Sequence, residues 1–241
     1  KDIRKGRIAV SSAQFKKSFR DVGEYIRKHQ NSDNTTTRLY EGENPTWLDI
    51  ISGYDFSKAI TSTILDYING ELLANDCHLV IPMLSKAIGG KSVQLKRLGF
   101  ELYSQGIEVY ELINDSLNVQ SFIDFISRTP GNTIALLIDD GSSFYSSVNR
   151  LVELFPNDKR LIVLIAARPY FHQKKYYELR HLPGYKVFAL DDISTDSLLT
   201  LAQSAVTTLK EKGLLGTLKA MSHQERLRHF RKNDLPNALW K

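Results

Sequence analysis

Short, uninterrupted apolar runs alternate along this chain with segments whose apolar residues recur every three or four positions. The runs are Leu79–Leu84, Ile107–Leu112, Thr133–Asp140, Leu161–Ala167 and Tyr185–Leu190; the third passes from apolar residues into two aspartates. A continuous apolar run of this length reads as a strand buried on both faces. The helical spacing between runs predicts helices over 91–104, with Val93, Leu95, Leu98 and Leu102 inward, over 119–127, with Phe122, Ile123 and Ile126 inward, and over 144–154. Strands alternating with helices are the signature of a doubly wound α/β fold with a five-stranded parallel sheet. Right-handed crossovers bring every strand's C-terminal end to one edge, where such sheets bind ligands.

The flanks read as helical. Phe15, Phe19, Val22 and Ile26 share one face of a helix over 12–28, and the polar stretch Gln30–Thr37 reads as a linker. Asn44-Pro45 looks like the start of a short helix through Trp47, Ile50 and Ile51 that stops at Gly53. A second helix follows over 57–69 and ends at Gly70. From Ser194 the pattern is helical again through Leu198, Leu199, Leu201 and Ala205. Gly213 and Gly216 interrupt it, and Ser222 with Glu225 forms a capping box that opens another helix. The expected division is an N-terminal helix and linker over 1–39, a core over 40–193 and a helical lid over 194–241. There is no internal repeat.

Candidate chemistry lies at the strand ends. After the run Leu79–Leu84 comes Ser85-Lys86-Ala87-Ile88-Gly89-Gly90-Lys91-Ser92, which matches the last three positions of the phosphate-binding pattern Gly-x4-Gly-Lys-Ser/Thr. Backbone N–H groups of such a loop and of the following helix converge on phosphates, and Gly89 and Gly90 let the backbone approach closely. Lys91 supplies a point charge to the β- and γ-phosphates and Ser92 a hydroxyl to Mg²⁺. About 50 residues on, Asp139 and Asp140 stand where a P-loop NTPase holds Mg²⁺, and Arg168 ends the fourth strand. The expected ligands are ATP and Mg²⁺.

Composition narrows the function without redirecting it. The chain has 241 residues, a formal net charge of +5 and a single cysteine, Cys77, so it forms no internal disulfide. A reducing, cytoplasmic setting is expected. No apolar run approaches the roughly 18 residues of a membrane span. The mild basic excess permits nucleic acid without indicating it. The first residues carry neither an initiator Met nor a signal-like region, so the chain reads as a piece of a longer protein. The six histidines include no HExxH, Cys77-His78 has no second pair at ligand spacing, and no Asn-Lys-x-Asp guanine motif is present. These features speak against a zinc site and against a GTPase.

The chain resembles the STAND class of P-loop NTPases, signal-transducing relatives of AAA-type ATPases, and in particular the NTPase domain of bacterial antiphage defence proteins. The resemblance rests on Ser85–Ser92 as Walker A, Ile134–Asp140 as an hhhhDD Walker B and Ala167-Arg168-Pro169 after the fourth strand. Phe188–Ser194 leads into the lid, and Pro45–Ile50 with Gly53-Tyr54-Asp55 resembles the segment covering the adenine side. It implies a sheet order of 5-1-4-3-2, nucleotide contacts from Trp47, Tyr54, Ser85, Ile88, Gly89, Gly90, Lys91, Ser92 and Val93, and Mg²⁺ held by Ser92 and Asp139. Asp140 would orient the attacking water, and Arg168 would sense the γ-phosphate. It also implies a switch whose ATP or ADP state is coupled to self-association or to effector and sensor domains of one longer chain. Ser85 replaces the first glycine, Ile88 an inner glycine, and Asp140 a longer glutamate. These departures predict slow hydrolysis; the alternatives are a nucleotide-binding module without useful hydrolysis and a DNA-handling AAA-type ATPase.

Overall fold

The computed structural model describes residues 15–30, 37–41, 43–56, 58–86, 90–190 and 195–232. Six strands form one sheet: β1 (Phe19–Asp21), β2 (Leu79–Leu84), β3 (Glu108–Leu112), β4 (Thr133–Ile138), β5 (Arg160–Ala167) and β6 (Phe188–Ala189). Their order is β1-β3-β4-β5-β2-β6; β1 pairs antiparallel with β3, and all other pairs are parallel. Five strands were expected, so the count is corrected to six and the order is changed at the β1 edge.

That edge is where helical spacing misled. Residues 15–18 are helical, the chain then extends as β1, and α1 (Val22–His29) begins only after Asp21, whose carboxylate accepts the Glu24 N–H at 2.8 Å. Phe15 and Phe19 pack on one side of the sheet, and Val22 and Ile26 on the other. The chain crosses around β3 and covers its open backbone groups, leaving the three-residue β1 as the edge on that side.

The sheet alternates as buried strands must. Val80, Leu136, Ile138, Val163 and Ile165 face a layer built on α5 (Val119–Ile126) and α6 (Tyr145–Leu154). Ile81, Met83, Leu137, Leu164 and Ala166 face α2 (Trp47–Ile51), α3 (Ala59–Ala74) and α4 (Lys91–Ser104). Two helix boundaries differ from expectation. The cap of α2 is Thr46, which with Asp49 forms a capping box, so Asn44-Pro45 is not the cap; and α3 runs through Gly70 to Ala74. A short helix, α7 (Pro169–Lys175), follows β5.

At the C-terminal side, α8 (Thr195–Glu211) packs Leu201, Ala202, Ala205, Val206 and Leu209 onto Phe56, with Leu215 and Leu218 completing the cluster. Gly213 and Gly216 take positive φ. In α9 (His223–Lys232), the Ser222–Glu225 capping box is present: the Ser222 N–H donates to Glu225 at 2.8 Å and the Glu225 N–H to Ser222 Oγ at 3.3 Å.

Candidate functional site

The C-terminal ends of β2, β4 and β5 lie side by side, with β5 in the middle. Leu84 pairs with Ala167, and the Ser85 N–H donates to Ala167 O at 3.2 Å, extending that pairing by one residue. Ser85 is fully buried, and its hydroxyl donates to Lys86 O at 3.3 Å. The small side chain at the first loop position is therefore tucked into the sheet edge. Ile88 and Gly89 lie outside the described residues.

Gly90 has φ 75° and is the N-cap of α4, and its carbonyl accepts the Gln94 N–H at 3.0 Å. Only glycine adopts this left-handed conformation without strain. Lys91 and Ser92 open the helix, where first-turn N–H groups have no intrahelical acceptor and favour an anion. Ser92 and Val93 are half-buried. Lys91 is 8 % exposed; its ammonium donates to Lys86 O at 3.0 Å, and among the described residues no carboxylate forms an ion pair with it. The ammonium is thus held at the start of α4 against the backbone of the loop that precedes it. Reading the sequence missed a second cation here. Lys58 Nζ lies 3.5 Å from where a Cβ on Gly90 would stand, an ordinary contact distance, so it is the positive φ and not lack of space that calls for glycine there. Beneath the loop, the buried pair Thr61 Oγ1 to Gln94 Oε1, 2.6 Å, locks α3 to α4.

Asp139 and Asp140 are exposed immediately beyond β4. The Asp139 carboxylate accepts the Asp140 N–H at 3.0 Å, and Asp140 is the one non-glycine residue with positive φ, 44°, among those described. The sharp turn is held by Gly141, where a Cβ would stand 2.4 Å from Ile165 Cγ2 and 2.8 Å from Ile138 Cγ2. Sequence reading passed over this glycine, whose role depends on a contact with β5. Arg168 is exposed at the end of β5. The structure brings Asp140 and Arg168 together on a cavity of about 370 Å³ with Ser142, Ser143, Phe171, Lys174 and Lys175; Lys91 and Ser92 do not line it.

Behind that cavity, His172 is buried between two phenols, with Tyr145 Oη 2.7 Å from Nδ1 and Tyr185 Oη 3.1 Å from Nε2. Burial pushes the imidazole below its ordinary pKa and raises that of the Tyr145 phenol. None of these three residues carries a local motif, so sequence reading did not find them.

Trp47 and Tyr54 sit differently from an exposed adenine platform. Trp47 is buried, its indole N–H donates to Glu111 Oε2 at 2.7 Å, and the Lys96 ammonium lies 5.0 Å from its ring centre. Glu111 is also paired with Lys96 and, at 2.7 Å, with Arg20. The indole N–H of Trp47 is thus committed to the core. Tyr54 is buried under the Lys212 ammonium, 5.0 Å from its ring centre, while Lys212 donates to Ser52 O at 2.6 Å. Asp55 is pinned to Arg97 of α4, whose Nε donates at 2.6 Å. The Tyr54 segment is thus clamped between α4 and the residue that follows α8.

A sequence profile of the family described as novel STAND NTPase 5 matches residues 37–178, more than half of the chain. The chain belongs to this STAND NTPase family. The STAND NTPase accordingly has a nucleotide-binding NTPase role, which in P-loop NTPases usually includes Mg²⁺. No curated protein matches it. It is similar to the Thermotoga maritima RuvB Holliday junction branch migration motor, at 14% identity over 76% of this chain and 72% of that one, with a TM-score of 0.42. It is also similar to Aeropyrum pernix ORC1 in its complex with DNA, at 12% identity over 89% of this chain and 63% of that one, with a TM-score of 0.41. Among the described residues of the STAND NTPase, no group of three or more His, Cys, Asp or Glu could hold a metal. Among the described residues no helix is long and apolar enough to cross a membrane.

Proposed function

We propose that this chain is an ATP-binding switch that hydrolyses ATP slowly, and that it serves a larger bacterial signalling or antiphage defence protein. The supporting observation is the buried Lys91 ammonium at the start of α4, held by a carbonyl and by no described carboxylate. In this reading the loop through Gly90 and the first turn of α4 bind the phosphates, and Lys91 neutralises the β- and γ-phosphates. Ser92 and Asp139 hold Mg²⁺, whose charge offsets the charge that develops during phosphoryl transfer. Asp140 orients water, and Arg168 registers the γ-phosphate from the neighbouring strand end. Slow turnover follows from the short Asp140 side chain and from Ser85 at the first loop position.

The segment over 194–241 acts as a lid in this reading, joined to the core over 40–193. Phe56 lies in its apolar cluster and Lys212 on Tyr54, so a shift of the 52–56 segment is felt by α8. The signal then passes to effector or sensor regions, or to a second copy. Calorimetry tests the base of the scheme. Lys91→Ala removes a charge-assisted contact and lowers ATP affinity roughly ten- to a hundredfold. Equal affinity in the two proteins refutes the assignment.

A further inference from the structure

Among the described residues, exposed Phe and Tyr side chains are concentrated in one place. Among the described residues, the exposed Phe and Tyr side chains are Tyr170 (60 %), Phe171 (47 %), Tyr176 (40 %) and Tyr177 (58 %), all within eight consecutive residues. Exposing four rings together works against solubility unless they meet a partner.

The same stretch is basic. Arg168, Lys174, Lys175 and Arg180 stand against one carboxylate, Glu178, between residues 168 and 181. Cations and rings are interleaved in space as well: Lys174 Nζ lies 4.2 Å from the Tyr170 ring centre, and the Arg180 guanidinium 5.6 Å from that of Tyr176. Phe171, Lys174 and Lys175 line the 370 Å³ cavity with the Ser142 and Ser143 side. Asp140 is the one carboxylate in that lining, and three cations outnumber it.

We propose that this face, α7 and the turn that follows it, binds single-stranded nucleic acid. Unpaired bases expose flat π-faces that stack on aromatic side chains, while the phosphates between them are drawn to lysine and arginine. A duplex hides its base faces and cannot use the rings. An acidic peptide offers the charge without the flat groups. A phosphate seated by Lys174, Lys175 and the two serines brings the adjoining base over Phe171 or Tyr170. The strand lies against the cavity that contains Asp140 and Arg168, so it is placed to influence the nucleotide edge, although its binding does not depend on nucleotide.

The test is fluorescence anisotropy with labelled oligothymidylate and oligouridylate, using the 241-residue chain without nucleotide. The two oligomers separate DNA from RNA as the source of the strand. Tyr170→Ala with Phe171→Ala is expected to weaken binding about tenfold or more. Lys174→Ala with Lys175→Ala is expected to weaken it and to reduce the slope of log affinity against log salt by about 1.4, the share of two phosphate contacts. All four positions are at the surface, and unchanged circular dichroism and unfolding midpoints confirm folded variants. The proposal is overturned if neither oligomer binds at low salt. It is equally overturned if the aromatic variant binds like wild type, or if duplex DNA or polyphosphate binds as tightly as the single strands.

Discussion

The Tyr145 hydroxyl lies 2.7 Å from Nδ1 of His172, and this bond ties the helix that follows Asp139 and Asp140 to the helix that follows Arg168. A neutral imidazole has one donor and one acceptor nitrogen. Two phenols satisfy both, so the ring is complete only while the ends of β4 and β5 keep their spacing. Tyr145→Phe leaves a buried ring nitrogen unpaired, at a cost of about 1–3 kcal/mol. Tyr185 is half-buried, so water can replace its hydroxyl and Tyr185→Phe costs less. Urea unfolding of the two variants checks the ranking.

The same ring sets a pH dependence. Burial holds the folded pKa of His172 below its ordinary value, and that of His78 as well. The unfolded chain therefore binds more protons in this range, and stability rises with pH. The contribution is complete above the unfolded value, about 6.5, and is lost as pH falls through the lower folded values. The urea midpoint is expected to drop as pH falls below about 6.5, and His172→Gln should flatten part of that drop.

Gly141→Ala introduces a methyl group into space already held by Ile165 and Ile138. Overpacking of this kind costs about 1–3 kcal/mol. Because the clash lies between β4 and β5, it should also displace Asp139 and Asp140. The expected outcome is a lower thermal midpoint together with weaker Mg²⁺-dependent ATP binding. Loss of stability alone would separate the fold from the site.

Asp139 and Asp140 are expected to divide their labour. Asp139→Ala should weaken Mg²⁺-ATP binding more than metal-free ATP binding, and EDTA should lower the affinity of the wild type. Asp140→Asn should keep ATP binding while abolishing turnover. A wild type indifferent to EDTA removes the metal assignment. Turnover that survives Asp140→Asn removes the water-orienting role.

Arg168 should make the helical segment responsive to nucleotide. A ligand shifts a conformational equilibrium only by its differential affinity for the two states. Hydrogen exchange in α8 is expected to differ between a non-hydrolysable ATP analogue and ADP, and Arg168→Ala should erase the difference. Identical exchange in the wild type with both nucleotides leaves a binding domain without a switch.

Five of the six strands, their parallel pairing and the sheet edge at which they end were legible in the sequence because each depends on short-range pattern. A buried strand is a run of apolar residues, a helix an apolar repeat of three and four, and right-handed crossovers do the rest. The structure decided what depends on partners far along the chain. Phe15, Phe19, Val22 and Ile26 are spaced as one helix, yet they divide between the two faces of the sheet because the chain rounds the open edge of β3. The indole N–H of Trp47 finds its acceptor in Glu111, 64 residues away. Gly141 is required by Ile165, and His172 by Tyr145 and Tyr185. Local periodicity records which way a residue faces within its own element; which element it then meets is a matter of packing, and only the folded chain settles it.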